Sequence, residues 1–367
     1  MSAERTKTVL ITGGAGFIGS NLAARLLSEP GTRVRIFDNL SRRGVVRNVE
    51  WLRSKADRTQ LEIVEADVRD AAAVRRATRD ASEIYHLAAQ VAVTTSVADP
   101  RTDFEINAMG TFHVLEGARA SGRNPFVLFT STNKVYGALE GVSVAVRGTR
   151  YKAQAPEFVG VDERELLDFH SPYGCSKGAA DQYVRDYARI YGLDSVVFRM
   201  SCIAGPRQFG NEDQGWVAHF LYSVLDGRPI TVCGDGFQVR DVLHVHDLID
   251  AMMASRAARE RTRGEVYNLG GGMSRAVSVI ELLHNCERRA GLPLHLEYTA
   301  VRPGDQPLYI TDTQKIESHT GWKARRSLED ILEDIERFWH RNREAIAGDA
   351  AGPATFQQSA VLQREVA

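Results

Sequence analysis

Cysteine is scarce in this chain. Its 367 residues include four, Cys175, Cys202, Cys233 and Cys286, scattered without the paired spacing of a metal site. They read as reduced thiols of a cytoplasmic protein, and no metal is expected. Charge of one sign is also missing. Lys and Arg number 46 against 47 Asp and Glu, a formal net charge of −1, so nothing draws the chain to nucleic acid or to an anionic membrane. Long apolar runs are absent as well. None approaches the length of a membrane span, and Met1-Ser2-Ala3-Glu4-Arg5-Thr6-Lys7 leads straight into strand-like Thr8-Val9-Leu10-Ile11 without the apolar core of a signal peptide. No segment repeats. What remains, 25% charged and 43% hydrophobic, is the composition of an ordinary globular chain, long enough for one large domain or two modest ones.

What is there is an alternation. Short apolar runs at 9–11, 33–37, 61–65, 83–87, 126–130 and 195–198 read as strands. Helical patterns at 21–28, 71–80, 107–121 and 176–191 separate them. Strands alternating with helices imply an α/β fold, a doubly wound parallel sheet of the Rossmann type. After Gly205 the pattern loosens into short segments and helices near 245–259, 278–290 and 327–344. The expected organisation is a dinucleotide-binding Rossmann domain over 1–204, with a return segment at about 241–272. A smaller C-terminal α/β substrate-binding domain comes mainly from 205–346, and 347–367 reads as a flexible tail.

The turn after the first strand reads Gly13-Gly14-Ala15-Gly16-Phe17-Ile18-Gly19. Gly13, Gly16 and Gly19 permit a tight turn, close approach of a pyrophosphate and close packing of helix on sheet. Phe17 and Ile18 open the helix whose N-terminus faces the phosphates. Asp38 ends the second strand, where a carboxylate accepts from the adenosine ribose hydroxyls and repels a 2′-phosphate. The expected cofactor is therefore NAD rather than NADP. Asn39, Ser41 and Arg42 follow Asp38 on the same loop, and Arg42 with Arg43 is the feature that pulls the other way. Asp67 and Val68 flank the adenine, and Leu87, Ala88 and Ala89 pass beneath the cofactor.

Tyr173 and Lys177 stand four residues apart where a loop enters a helix. That spacing brings both side chains to one helical face, about 5–6 Å apart at Cβ. The ammonium favours the phenolate, so the Tyr173 pKa is expected to fall from about 10 towards neutrality. Such a tyrosine can take the proton of a sugar hydroxyl while the same carbon is oxidised. The pair alone is common on solvated helices, and its meaning comes from the dinucleotide turn upstream.

Together these residues resemble the extended short-chain dehydrogenase/reductase family of nucleotide-sugar enzymes, over roughly 8–345. The resemblance implies that Thr132 completes the catalytic set with Tyr173 and Lys177. It implies that Asn107 props the active-site helices. Arg240, within Gly234-Asp235-Gly236-Phe237-Gln238-Val239-Arg240-Asp241, and Arg302, within Val301-Arg302-Pro303-Gly304-Asp305, would clamp a diphosphate. Arg207 is a further candidate for that clamp. Gln90 and Thr94 would line the sugar pocket beside Thr132. The substrate is then a nucleotide-diphosphate sugar, and the helices near Asn107 and Ser176 would pair in a homodimer or homotetramer. His170 and His244 are expected to be structural.

Within that family the stretches 89–96, 103–107, 131–137, 167–183, 207–209 and 213–217 are similar to the branch that epimerises C2 of CDP-linked sugars. Met200-Ser201-Cys202-Ile203-Ala204-Gly205-Pro206 departs from it and leaves the sugar open. Dehydratases of the family carry an Asp-Glu pair directly after the threonine. Here Asn133 and Lys134 stand in those places and cannot do that acid–base work. The reaction expected is epimerisation by transient oxidation and re-reduction. C2 follows from the resemblance and C4 is the family's usual carbon, so a 4-epimerase of a UDP- or other nucleotide-linked sugar stays open. So do a simple dehydrogenase and a non-catalytic Rossmann binding protein.

Overall fold

A computed structural model describes residues 6–211, 214–301 and 305–348. Apolar runs with no polar break can be buried on both faces only in a parallel sheet covered on both sides. Val9, Leu10 and Ile11 are such a run, and all three are fully buried. Their strand, Lys7–Thr12, is central in a parallel sheet of seven. Across the sheet the order is Val266–Leu269, Ser195–Met200, Phe126–Thr132, Glu83–His86, Lys7–Thr12, Thr32–Asp38 and Leu61–Glu65. Because all seven run the same way, their C-terminal ends share one edge, and the loops that leave that edge carry the site.

One face of the sheet is covered by the helices Phe17–Leu27, Val45–Arg53 and Val245–Ala257. The other is covered by Ala71–Thr78, Gly110–Ala120 and Ser171–Tyr191. A separate core forms among the helices Trp216–Leu225, Val279–Ala290 and Leu328–Gly348. They lie against a small sheet in which Val239–His244 pairs with Cys202–Ala204, Ala276–Ser278 and Leu308–Tyr309. The chain then comes back to the first core, since Leu243, Leu248, Met252, Tyr267 and Leu269 all belong to it. His244 caps the returning helix by accepting from His246 N at 3.0 Å, which gives it the structural part expected of it.

Two differences from the sequence reading lie next to the site. The helix expected at 176–191 begins earlier, at Ser171. Pro172 in its first turn has no N–H to leave unpaired there, and Ser171 Oγ accepts from Gly174 N at 3.2 Å. The helix expected from 107 is preceded by the short helices Val93–Ala98 and Pro100–Phe104 and by a π-helical turn, Glu105–Met109. Mostly polar or small residues and Pro100 hid these turns from a periodicity argument. The tail expected over 347–367 lies outside the described residues from 349 on, and 347 and 348 close the last helix. Among the described residues no helix is long and apolar enough to cross a membrane.

Candidate active site

The glycine-rich turn is built around positions that exclude a side chain. Gly13 has φ +67°, and a Cβ there would lie 2.7 Å from Ala88 N. A Cβ on Gly19 would lie 2.4 Å from Gly13 O, so helix and turn touch backbone to backbone. Gly16 sits between them as the cap of the helix that Phe17 and Ile18 begin. This is the bare, N–H-rich cradle that a pyrophosphate fits. Asp38 braces it: Oδ2 accepts from Ala15 N at 3.0 Å and Oδ1 from Leu40 N at 2.9 Å. Burial pushes the Asp38 carboxyl up, and those two amides with the Arg42 charge pull it back. Each oxygen keeps a second lone pair for a ribose hydroxyl.

The neighbouring loops are tied together. Asn39 Nδ2 donates to Asp67 Oδ2 at 2.9 Å, and Ser41 Oγ donates to Asn39 Oδ1 at 2.7 Å. Arg69 holds the Asp67 carboxyl down at about 2. Val68 packs against Gly110, whose Cβ would fall 2.8 Å from Val68 Cγ2. Leu87, Ala88 and Ala89 leave the fourth strand beside Gly13, with Ala88 N donating to Thr12 Oγ1 at 3.3 Å. Arg42 reaches out of its loop to hydrogen-bond Gln214, and its charge acts on both Asp38 and Tyr173.

Thr132 ends the strand Phe126–Thr132 close enough to Tyr173 to act on its phenol, and its Oγ1 accepts from Lys134 N at 3.2 Å and donates to Asn133 Oδ1 at 3.4 Å. Tyr173 is buried beside it. Lys177, one turn on, is 3% exposed. Its Nζ donates to Thr130 O at 2.7 Å and lies 4.1 Å from the centre of the Phe129 ring. This corrects the sequence reading of the pair. Burial pushes the Tyr173 phenol up to about 12, against the Thr132 hydrogen bond and the Arg42 charge. Lys177 is spent on the Thr130 carbonyl, and burial pushes its ammonium down to about 7, with Asp181 and Asp103 acting to raise it. Spacing on a helix says that two side chains share a face; it does not say what desolvation does to them.

Asn107 lies in the π-helical turn and joins three elements. It accepts from Gln90 N at 2.9 Å, and its Nδ2 donates to Gln90 O at 3.0 Å, to Ser176 Oγ at 3.1 Å and to Asp103 Oδ1 at 3.1 Å. The Gln90 amide folds back on Ala92 N and O, both at 2.8 Å, and Thr94 is exposed at the start of its helix. Arg240 donates to Asp305 Oδ1 at 2.7 Å, and Lys134 Nζ stands 3.4 Å from the same oxygen. Lys134 therefore joins Arg240 in a cation pair around one carboxylate, a grouping the sequence reading missed. Burial and the Arg240 charge both push the Lys134 ammonium down.

The Arg207 guanidinium stacks 3.4 Å from the centre of Trp51, faces Phe338 at 5.6 Å and donates to Asn48 Oδ1 at 3.4 Å, and burial lowers it to about 10. Arg302 lies outside the described residues. His170 pairs with Asp168 at 3.1 Å near the surface. His244, His246 and Asp334 come within 4.8 Å of one another, but the His244 ring is already engaged with the amide of His246 and the carboxylate of Asp334.

A family model described as GDP-mannose 4,6 dehydratase matches residues 10–335. The chain belongs to that family. CDP-paratose 2-epimerase of Salmonella typhi is 43% identical over 335 residues, which is 89% of this chain and 97% of that protein. The solved UDP-glucose 4-epimerase of Thermotoga maritima, with UDP-glucose, superposes with a TM-score of 0.78 at 30% identity, over 92% of this chain and all of that one. The dTDP-glucose 4,6-dehydratase of Streptomyces venezuelae, solved with NAD bound, gives 0.78 at 30% identity over 92% of this chain and 98% of that one. These members bear out the resemblance to nucleotide-sugar enzymes and the Rossmann fold.

The depressed Lys177 gives a pH signature. Its folded pKa of about 7 lies below the ordinary 10.5, so between those values the unfolded chain binds the extra proton. Stability arising from this residue therefore rises with pH across that window. Unfolding in urea at pH 7, 8 and 9 should show Lys177→Met losing this rise, so that its stability relative to the natural chain is greatest at pH 7 and declines as pH rises. A difference that does not change with pH would show the ammonium to be unperturbed.

Proposed function

We propose that the chain is an NAD-dependent epimerase of a nucleotide-diphosphate sugar, acting at C2 of a CDP-linked sugar of the paratose type. The observation that carries the reading is Thr132 and the buried Tyr173 brought side by side, with the buried Lys177 one turn on and Asn133-Lys134, rather than an acid pair, beside them. The 43% identity to CDP-paratose 2-epimerase supports the choice of sugar and carbon. A non-catalytic role would not need these three side chains to converge.

Gly13, Gly16 and Gly19 would hold the pyrophosphate of NAD, with Asp38 on the adenosine ribose and Asn107 fixing the loop through Gln90. When bound, NAD supplies the reversible acceptance of a hydride from the sugar carbon. Tyr173 Oη takes the proton of the reacting hydroxyl and returns it once the keto sugar has turned over. Thr132 Oγ1 orients that hydroxyl. Arg240, with Lys134 beside it, binds the diphosphate side of the substrate through charge-assisted hydrogen bonds. Asn133 offers no carboxyl to protonate a departing hydroxyl, and Lys134 no carboxylate to draw a proton from C5, so water is retained in the sugar. The cofactor part is read as 1–204 with its return at 241–272 and the substrate part mainly as 205–346, although Ile316 and Trp322 pack in the first core and Ala204 in the second. A cytoplasmic location is part of the reading, in keeping with four free thiols.

A homodimer is part of the same proposal. Phe104, Met109, Phe112, Tyr183, Ile190 and Tyr191 are all exposed on the helices around Asn107 and on the catalytic helix, an apolar face suited to pairing with a second copy. Sedimentation should give a dimer or tetramer, and a monomer at micromolar concentration would remove this part of the reading.

Incubation with CDP-paratose, followed by NMR of the sugar, should give CDP-tyvelose without added reductant. Tyr173→Phe should lose at least about 10²-fold in rate while keeping its fold, because only the ionisable oxygen is removed. Conversion of UDP-glucose at C4 instead would move the enzyme to the 4-epimerases, and near-natural activity in Tyr173→Phe would end the assignment of the base.

A further inference from the structure

Asp103 is fully buried, yet the chemistry above gives it no part. It lies in the short helix Pro100–Phe104, one turn ahead of Asn107. Its Oδ2 accepts from Ser176 Oγ at 2.5 Å and its Oδ1 from Asn107 Nδ2 at 3.1 Å. Ser176 directly precedes Lys177 in the catalytic helix, and Asn107 holds both backbone groups of Gln90. One carboxylate thus grips the catalytic helix on one side and the turn that carries the cofactor loop on the other.

A buried carboxylate is costly to desolvate unless its charge is used. Burial pushes the Asp103 carboxyl up, against the Ser176 hydrogen bond and the Lys177 charge, and both of its hydrogen-bond partners are donors, the arrangement a carboxylate accepts. Lys177 is the cation that acts on Asp103. Lys177 in turn is acted on by Asp103 from this helix and Asp181 from its own, acts on His86 of the strand Glu83–His86, and meets the Thr130 carbonyl and the Phe129 ring of the strand Phe126–Thr132. His86 is kept neutral, lowered to about 3 by burial and by Lys177 itself. Asp181 acts on the lysine first and is itself held by Arg199 through two hydrogen bonds of 2.8 and 2.9 Å. Among the described residues Asp103 has no guanidinium of its own, and it is the second carboxylate that acts on the lysine.

We propose that Asp103 is a positioning residue whose ionised carboxylate keeps Lys177 an ammonium and, through Ser176 and Asn107, sets the catalytic helix against the cofactor loop. This rests on the reading of Tyr173 and Lys177 as the acid–base pair. Its charge acts in the same direction on both, raising the lysine and the tyrosine alike.

The test is the pH dependence of turnover in Asp103→Asn against Ser176→Ala. Asp103→Asn removes the charge and keeps the shape. Both limbs of its pH profile should move to lower pH, by about one unit, the smaller end of what a close charge does. Ser176→Ala keeps the charge and loses a hydrogen bond, so its rate should fall with both limbs in place. An Asp103→Asn profile that falls in height without moving would reduce Asp103 to a structural tie and overturn the proposal. Two measurements need neither substrate nor turnover. Lysine labelled with ¹³C at Cε should show Lys177 titrating at lower pH in Asp103→Asn than in the natural chain. In the natural chain, ¹³C-labelled aspartate should report an ionised Asp103 at pH 7, and a protonated carboxyl there would overturn the proposal even if Asp103→Asn does not fold. If the natural chain turns over no nucleotide sugar, the functional reading fails while these two measurements still decide the role of the charge.

Discussion

An ammonium buried at 3% exposure must be paid for by its surroundings, and Lys177 sets the terms for much of this molecule. Its proton donor needs an acceptor, which is the carbonyl of Thr130 near the end of a fully buried strand. That strand has to be central in the sheet and has to end where the catalytic helix crosses it. The helix must present Tyr173, Lys177, Ala180, Val184 and Ala188 along one buried stripe, three or four residues apart, so that chemistry and core packing share a face. Asp181, within the same helix, acts on the lysine together with Asp103 and is itself held by Arg199 of the next strand in a bidentate, almost fully buried pair. Remove the lysine's partners and the dyad loses both its charge state and its place.

Around that point the fold divides the work. The ends of the first four strands gather a glycine cradle, a ribose-facing carboxylate and a loop braced by Asn107. The second core contributes cations: Arg240 comes from a strand of the small sheet, and Lys134, beside Thr132, meets it at Asp305. The place where dehydratases keep an acid pair is thus occupied by an amide and by half of a cation pair. On the proposed reading, positive charge there suits a diphosphate-linked sugar and offers no carboxylate to take a carbon-bound proton, and Tyr173 moves a proton at a hydroxyl oxygen.

Much of this was legible in the sequence, for definable reasons. Val9-Leu10-Ile11 and the glycines after it have one physical reading, and the structure agrees with it. The Tyr173–Lys177 spacing was legible as a shared face, but its electrostatics were not. Desolvation depends on what lies over a side chain, and the Phe129 ring and Thr130 carbonyl come from 40 and more residues away. The charge of Arg207 is visible in the sequence, and its stacking partner, Trp51, is not. The turns around 93–109 were hidden because they are short, polar and interrupted by Pro100. Asp103 carried a faint signal, an acidic residue one helical turn before Asn107, which only the structure turned into a contact with Ser176.

The central claim is that a single carbon of the sugar is oxidised and then reduced, with no exchange of a carbon-bound proton. It is tested most directly by following CDP-paratose deuterated at C2 through one conversion in ordinary water, with the product read by NMR. The account predicts deuterium retained at C2 with the configuration there inverted. Deuterium washed out into solvent, or water lost from the sugar, would contradict it.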